Sequence, residues 1–190
     1  MNVRRLTRED VLPYRQLMLD AYERHPDAFT STVSERAALP MSWWQSRLSE
    51  APASPDVVFG AFDDQRLIGV AGLSFQTREK ARHKATLFGM YVPPKCRHRG
   101  VGGKLVRAAL DYAGNRPGVM LVQLTVTQGN AGAQSLYEQC GFVAFGVEPY
   151  AVAVGDAFVA KVHMWYDLRD RARLGAHSCP ASDHATRSSS

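Results

Sequence analysis

The stretch Val92-Pro93-Pro94-Lys95-Cys96-Arg97-His98-Arg99-Gly100-Val101-Gly102-Gly103-Lys104 constrains the fold more than any other part of the chain. Two successive prolines cannot continue a central strand, so the apolar run before them, residues 84–92, must end there. Three glycines follow where an amphipathic run begins, which lets the backbone approach a ligand closely at the start of a helix. Such a start presents about four backbone N–H groups without intrahelical acceptors and a partial positive charge, so it suits an anion. The side chains agree. No Asp or Glu occurs between Lys80 and Leu110, whereas Lys80, Arg82, Lys84, Lys95, Arg97, Arg99, Lys104 and Arg107 are all basic. The whole chain carries a formal net charge of only +5, so the remainder is net acidic and the positive charge is local. That favours one bound polyphosphate over a generally basic protein.

Two familiar phosphate loops are excluded. The spacing of Gly100, Gly102 and Gly103 does not make a GxGxxG dinucleotide fingerprint, and no acidic residue follows at the required distance. Gly103-Lys104-Leu105 lacks the hydroxyl that a Walker loop uses to hold magnesium. Beyond the cradle, Val101, Leu105, Ala108, Ala109 and Tyr112 share one face of a helix. Residues 114–118, with two glycines and a proline, stop that helix, and Met120, Val122, Leu124 and Val126 alternate as a strand. This strand–helix–strand unit predicts two neighbouring parallel strands. Gly89, in the middle of the first of them, predicts a bulge or a close ligand approach.

The pattern Arg97-His98-Arg99-Gly100-Val101-Gly102 resembles the Arg/Gln-x-x-Gly-x-Gly/Ala signature of the GNAT superfamily of acyl-CoA-dependent N-acyltransferases. A second segment, Asn130-Ala131-Gly132-Ala133-Gln134-Ser135-Leu136-Tyr137-Glu138-Gln139-Cys140-Gly141-Phe142, is similar to that superfamily's Asn…Ala-x-x-Leu-Tyr-x-x-x-Gly-Phe run. The resemblance spans residues 3–167 and is specific within 84–148. It implies an α/β fold: a mixed, mostly antiparallel sheet whose central parallel pair splays around acyl-CoA, with helices on both faces.

The same resemblance implies acetyl-CoA as acyl donor, a primary amine as acceptor, and direct attack in a ternary complex. It assigns the pyrophosphate to the backbone of Arg97, His98, Arg99, Gly100, Val101, Gly102, Gly103 and Lys104, and the pantetheine arm to the backbone of Met90, Tyr91 and Val92. Asn130 would hold the cofactor from the other side, or cap the helix that follows it. Tyr137 would protonate the departing thiolate. Many members of the superfamily also carry a Glu on the central strand or on the strand before the Asn segment. Here residues 84–92 hold no carboxylate and Thr125 stands at the second place. Glu79, His83, Glu148, His163 or a water remain as proton acceptors, and a catalytically silent acyl-CoA-binding module of the same fold is the alternative reading.

The rest of the chain fills in around this unit. Val11, Tyr14, Met18 and Ala21 predict a first helix ending at His25-Pro26, and the pattern weakens over 27–39 before a second helix at 42–50. Tyr22, Phe29, Trp43 and Trp44 are candidates for the acceptor wall or for ordinary packing. Residues 57–62 and 67–75 read as a hairpin, and 142–148 with 156–168 as a closing antiparallel pair around a loop at 149–155. Residues 1–168 are the expected domain and 169–190 a disordered tail, since the tail offers little apolar surface to offset its ordering entropy.

Three cysteines without metal-ligand spacing predict reduced thiols and no metal site. No apolar run reaches about 18 residues and the amino terminus lacks a signal-peptide core, so a cytoplasmic protein without membrane contact is expected. No helix-turn-helix or aromatic–basic pattern points to nucleic acid. The expected partners are acetyl-CoA and an amine, with room for a homodimer.

Overall fold

The computed structural model describes residues 1–170. Of the expected tail at 169–190, everything from residue 171 onward lies outside the described residues. Among the described residues, seven strands make one sheet: β1 (Asn2–Arg5), β2 (Asp56–Asp63), β3 (Arg66–Phe75), β4 (Lys84–Tyr91), β5 (Leu121–Thr127), β6 (Val143–Val154) and β7 (Ala157–Asp167). Their order across the sheet is β1-β2-β3-β4-β5-β7-β6. Only β4 and β5 run parallel; every other pair is antiparallel. Five α-helices join them: α1 (Val11–Arg24), α2 (Val33–Ala38), α3 (Met41–Ser46), α4 (Val101–Gly114) and α5 (Ala131–Gln139).

Alternation along the strands feeds two cores, one on each face of the sheet. On one face, Val101, Leu105, Ala109 and Ala113 of α4 pack with Tyr137 of α5 over Leu73, Ala85, Leu87, Val122 and Leu124. On the other, Val11, Tyr14, Met18 and Tyr22 of α1 pack with Trp44 over Val58, Val70 and Tyr91. The mixed, mostly antiparallel sheet with helices on both faces is the architecture that the two motifs imply.

β4 changes phase between the two cores. Ala85 and Leu87 belong to the α4 face, yet Tyr91, an even number of residues later, belongs to the α1 face, while Met90 and Val92 pack on the α4 side. An uninterrupted strand would keep Leu87 and Tyr91 together. The pairing explains the inversion: Gly72 faces Phe88 and Val70 faces Tyr91, so Gly89 and Met90 have no partner residue on β3. Gly89 takes a left-handed φ of 58°, which a side chain would strain. The glycine therefore marks a bulge. Gly72, opposite, is small because the Phe88 ring fills the place of a Cβ.

Two expectations change. The loop expected at 149–155 is strand instead: β6 continues to Val154, crossing an irregularity between Glu148 and Val152, and the reversal takes place at Gly155. A helix absent from the sequence reading, α2, forms within 27–39, and α3 is shorter than the expected 42–50. Among the described residues, no helix is long and apolar enough to cross a membrane. β6, at the sheet edge, leaves Val143, Phe145, Val147 and Tyr150 exposed.

Leu105 is fully buried, and α4 comes close to β3 there because Gly69 has no side chain. Leu105→Ala is expected to lower stability by about 2–5 kcal/mol. Urea unfolding would show this as a lower midpoint with an unchanged slope.

Candidate functional site

The site begins where the parallel pair ends. β4 and β5 are matched only at Lys84–Leu121, Ala85–Val122 and Thr86–Gln123. Past this point β4 stays paired with β3 as far as Tyr91, and β5 stays paired with β7 as far as Thr127. The edges of 87–91 and 124–127 that face each other are therefore open, and backbone amides there can receive an extended chain as an added strand would.

At the end of β4 the chain passes through Pro94–Cys96, a single 3-10 turn, into α4. His98 and Gly100 both have left-handed φ, 60° and 72°. No side chain caps α4, and its first turn contains no acidic residue. The N–H groups of Val101, Gly102 and Gly103 are thus free for an external acceptor, whereas those of Arg97 and Lys104, expected in the cradle, donate to the Pro94 and Gly100 carbonyls, each at 3.2 Å, and drop out of it. A Cβ on Gly100 would meet nothing within 4 Å, so the mouth of the cradle is open.

The cradle's side chains have more specific roles than a basic patch. Arg97 donates through Nε to the Val92 carbonyl at 2.9 Å and through Nη2 to His25 Nε2 at 3.2 Å, tying the cradle to the end of α1. Because the Val92 carbonyl is taken, the open edge runs from 87 to 91. Arg99 pairs with Asp63 at 3.0 Å, while His98 and Lys104 are exposed. Val101 and Gly103 are buried under the helix start. Gly102 is a packing position: a Cβ there would lie 2.8 Å from the Leu136 side chain and 3.2 Å from Met90. It is the close contact between α4 and α5.

Tyr91 turns its ring away from the open edge and into the α1 core, where its hydroxyl donates to Asp20 at 2.8 Å. Burial, followed by this bond to a carboxylate, pushes the phenol up to about 12. Only the backbone of Tyr91 is available to a ligand. Asn130 caps α5, its side-chain oxygen accepting from Ala133 N at 3.2 Å.

Tyr137 is 6% exposed and packs edge-on against Phe142. Burial, with the nearby Cys140 thiol adding to it, raises the phenol above its ordinary 10.0, and no hydrogen bond with a described residue reaches its hydroxyl. The proton is therefore retained across the physiological range.

On the opposite face, beside the bulge, lies a cavity of about 120 Å³ whose lining includes Tyr22, Phe29, Arg36, Trp43, Phe88 and Gly89. Tyr22, Phe29 and Trp43 therefore line it, whereas Trp44 is fully buried and belongs to the core. The wall formed by 27–31 is anchored from the sheet. Thr127 donates to the Asp27 carbonyl at 2.8 Å, and Lys161 to the Ala28 carbonyl at 2.9 Å, with burial lowering the Lys161 pKa. A larger concavity, about 410 Å³, lies by Phe75 and Val119, toward the start of β4 and away from the cradle.

Sequence reasoning missed Arg36 and Arg47. The signal for α2 was present: Thr32 and Glu35 form a capping box, with Thr32 Oγ1 accepting from Glu35 N and Glu35 from Thr32 N. Of the proton acceptors considered, Glu79 and His83 sit at the beginning of β4, remote from the bulge. Glu148 and His163 pair with each other at 2.9 Å; His163 lies between Val162 and Met164 of the α4 core, so it points to the cavity's side of the sheet. Among the described residues, Cys96 and Cys140 are free thiols, and no cluster of His, Cys, Asp or Glu could hold a metal.

The profile of the acetyltransferase (GNAT) family matches residues 17–142, from within α1 through the Asn130 segment. The chain belongs to the GNAT family. Among curated relatives, the L-amino acid N-acetyltransferase AaaT of Escherichia coli is 32% identical over 114 residues, covering 60% of this chain and 68% of that protein. Among solved structures, a GNAT acetyltransferase from Streptococcus pneumoniae has a TM-score of 0.75 at 21% identity, covering 87% of this chain and 98% of the other. The putative acetyltransferase yncA from Salmonella typhimurium, solved with acetyl-CoA, has a TM-score of 0.74 at 18% identity, covering 96% and 98%. These two share its fold. Acetyl-CoA is the cofactor of the GNAT family, and the uncapped α4 start beside an open β4 edge fits a pyrophosphate joined to an extended amide-bearing arm.

Gly100→Asp separates this cradle from the fold. Aspartate meets open space there, and its short polar side chain enters the left-handed region more readily than most, so the fold is expected to hold with a stability loss of about 1–2 kcal/mol from the φ of 72°. Its carboxylate would repel a pyrophosphate, and calorimetry is expected to show acetyl-CoA affinity weakened by about tenfold or more, roughly 1.4 kcal/mol.

Proposed function

We propose that this GNAT protein transfers an acetyl group from acetyl-CoA to a primary amine by direct attack within a ternary complex. The observation that carries the reading is the position of Gly89. It belongs at once to the open edge of β4 and to the lining of the small cavity on the α1 face. An acyl donor lying along that edge and an amine in that cavity would meet at the bulge. The printed name of the Escherichia coli relative, an N-acetyltransferase of L-amino acids, supports an amine acceptor.

In this reading the backbone N–H groups from His98 to Gly103 hold the pyrophosphate, those of Arg97 and Lys104 being taken by the Pro94 and Gly100 carbonyls, and the backbone from 87 to 91, including Met90 and Tyr91, pairs with the pantetheine amides. Acetyl-CoA supplies an activated acyl carbon. The amine nitrogen forms a bond to that carbon as the carbon–sulfur bond breaks, the amine loses a proton, and the sulfur leaves as a thiolate. An amide left unpaired at the Gly89–Met90 bulge donates to the carbonyl oxygen as negative charge develops on it. Tyr137, kept protonated by burial, donates to the thiolate.

A lysine-like amine at pH 7 needs about 4.6 kcal/mol to become neutral, which is 3.4 pKa units at about 1.36 each. The residues lining the cavity include no carboxylate and no imidazole. The proton therefore leaves through water, with the Glu148–His163 pair as the candidate base that shares the cavity's side of the sheet.

The test is release of free thiol from acetyl-CoA across an amine panel, with the acetylated amine identified by mass. Coenzyme binding without thiol release on any amine would overturn the reading in favour of a silent binding module. Tyr137→Phe is expected to keep coenzyme affinity and to lower turnover by about 10²-fold; turnover within about threefold of the parent would assign this side chain to packing. The pH profile gives a second check. With water taking the proton, kcat/KM should rise with pH up to the amine's own pKa. No alkaline fall is expected below about pH 10, because the Tyr137 phenol titrates above its ordinary value. An acid limb that disappears in His163→Ala would instead make His163 the base.

A further inference from the structure

The cavity beside Gly89 is positively charged. Among the described residues, its lining contains Arg36 and Arg47 and no acidic residue. Arg47 is satisfied in part, by Asp56 at 3.5 Å. Arg36 is not: it has no ion pair with a described residue, and its Nε is buried without any hydrogen-bond partner. Both guanidinium carbons stand 4.7 Å from the centre of the Trp43 ring, so two permanent cations share one aromatic plate. Arg36 also lies over Tyr22, at 5.6 Å, and Arg47 over Phe88, at 4.9 Å.

Aromatic faces partly compensate a cation, but they accept no N–H in the guanidinium plane. A buried donor left unpaired costs about 1–3 kcal/mol, and two like charges around one ring repel each other. An anion entering the cavity would offset that repulsion, and a planar carboxylate matches the Nη donors of the guanidinium fork, while Nε stays enclosed. A cationic acceptor such as a polyamine meets the opposite situation, with a second positive charge and no acid to receive it.

The small volume, about 120 Å³, keeps this anion near the amine that must reach Gly89. We propose that the acceptor is a free amino acid, with its carboxylate held by Arg36 assisted by Arg47 and its side chain packed against Tyr22 and Phe29. A protein or peptide amino terminus, whose first carboxyl group is tied up in a peptide bond, would leave Arg36 unpaired. The acetylation of the amine rests on the function proposed above; the recognition of the carboxylate does not.

Isothermal calorimetry on the CoA-loaded protein tests the recognition without turnover. The probes are L-leucine, L-methionine and L-phenylalanine, their amides, and the amines that lack the carboxylate, isopentylamine, 3-methylthiopropylamine and 2-phenylethylamine. At least one free acid is expected to bind tenfold or more tightly than its amide and its decarboxylated amine. Arg36→Gln should remove that preference while leaving the amide's affinity and the CoA affinity unchanged, and Arg36→Lys should restore part of it.

Amides and decarboxylated amines binding as well as the acids, or no acid binding at all, would overturn the proposal on the unaltered protein, whatever becomes of the variants. An Arg36→Gln protein that keeps the full preference would overturn the assignment of Arg36. Selective binding of an acid without thiol release would leave the carboxylate site standing and sink the catalytic reading instead.

Discussion

The site depends on a sheet that stops being a sheet. β4 and β5 share three matched positions and then part, and neither strand loses its other neighbour as they do so. Unpaired backbone edges are usually covered or paired within the protein. Here they stay open between the two strands, which is what the proposed coenzyme site uses. Everything else at the site is arranged around this gap: the prolines end β4, the uncapped start of α4 closes one end of the opening, and α5 flanks it through the Gly102–Leu136 contact.

The bulge at Gly89 joins the two halves of the site across the sheet. Up to Leu87 the strand serves the α4 core, and after it Tyr91 serves the α1 core, with its hydroxyl fixed on Asp20. Arg97 makes a second connection, from the cradle to His25 at the end of α1. The open edge of β4 and the cavity wall are thus built from opposite faces but fastened to the same few residues of β4 and its turn.

Much of this could be read from the sequence, because local chemistry set it. Prolines followed by glycines in a region without acids can hardly be anything but a strand end and an anion-seeking helix start, and a glycine in the middle of an apolar strand had to earn its place through backbone shape. The acceptor side was less legible. Arg36 sits in a six-residue helix too short for periodicity to reveal, and its importance comes from Tyr22, Trp43 and Arg47, which only the tertiary fold brings to it. The β6–β7 pair was expected, but its continuation through 149–154 was missed for a related reason. Pro149 and Tyr150 look like a loop, and Tyr150 has a left-handed φ of 54°, yet pairing resumes at Val152–Val159 and carries the strand through.

The phase inversion in β4 also determines where the gene can change length. Removing one residue between Leu87 and Tyr91 would restore strict alternation and leave Tyr91 on the α1 face, but it would erase the bulge, and with it the unpaired Gly89–Met90 backbone where the open edge meets the cavity. One added residue would displace the prolines from the strand end. Neither error could be repaired by a compensating substitution, because the fault would lie in the count of residues and not in their chemistry. Insertions and deletions should therefore be absent from this segment in descendants that keep the site. The β6–β7 hairpin tip, where the chain reverses at Gly155 far from the gap, is free to drift in length.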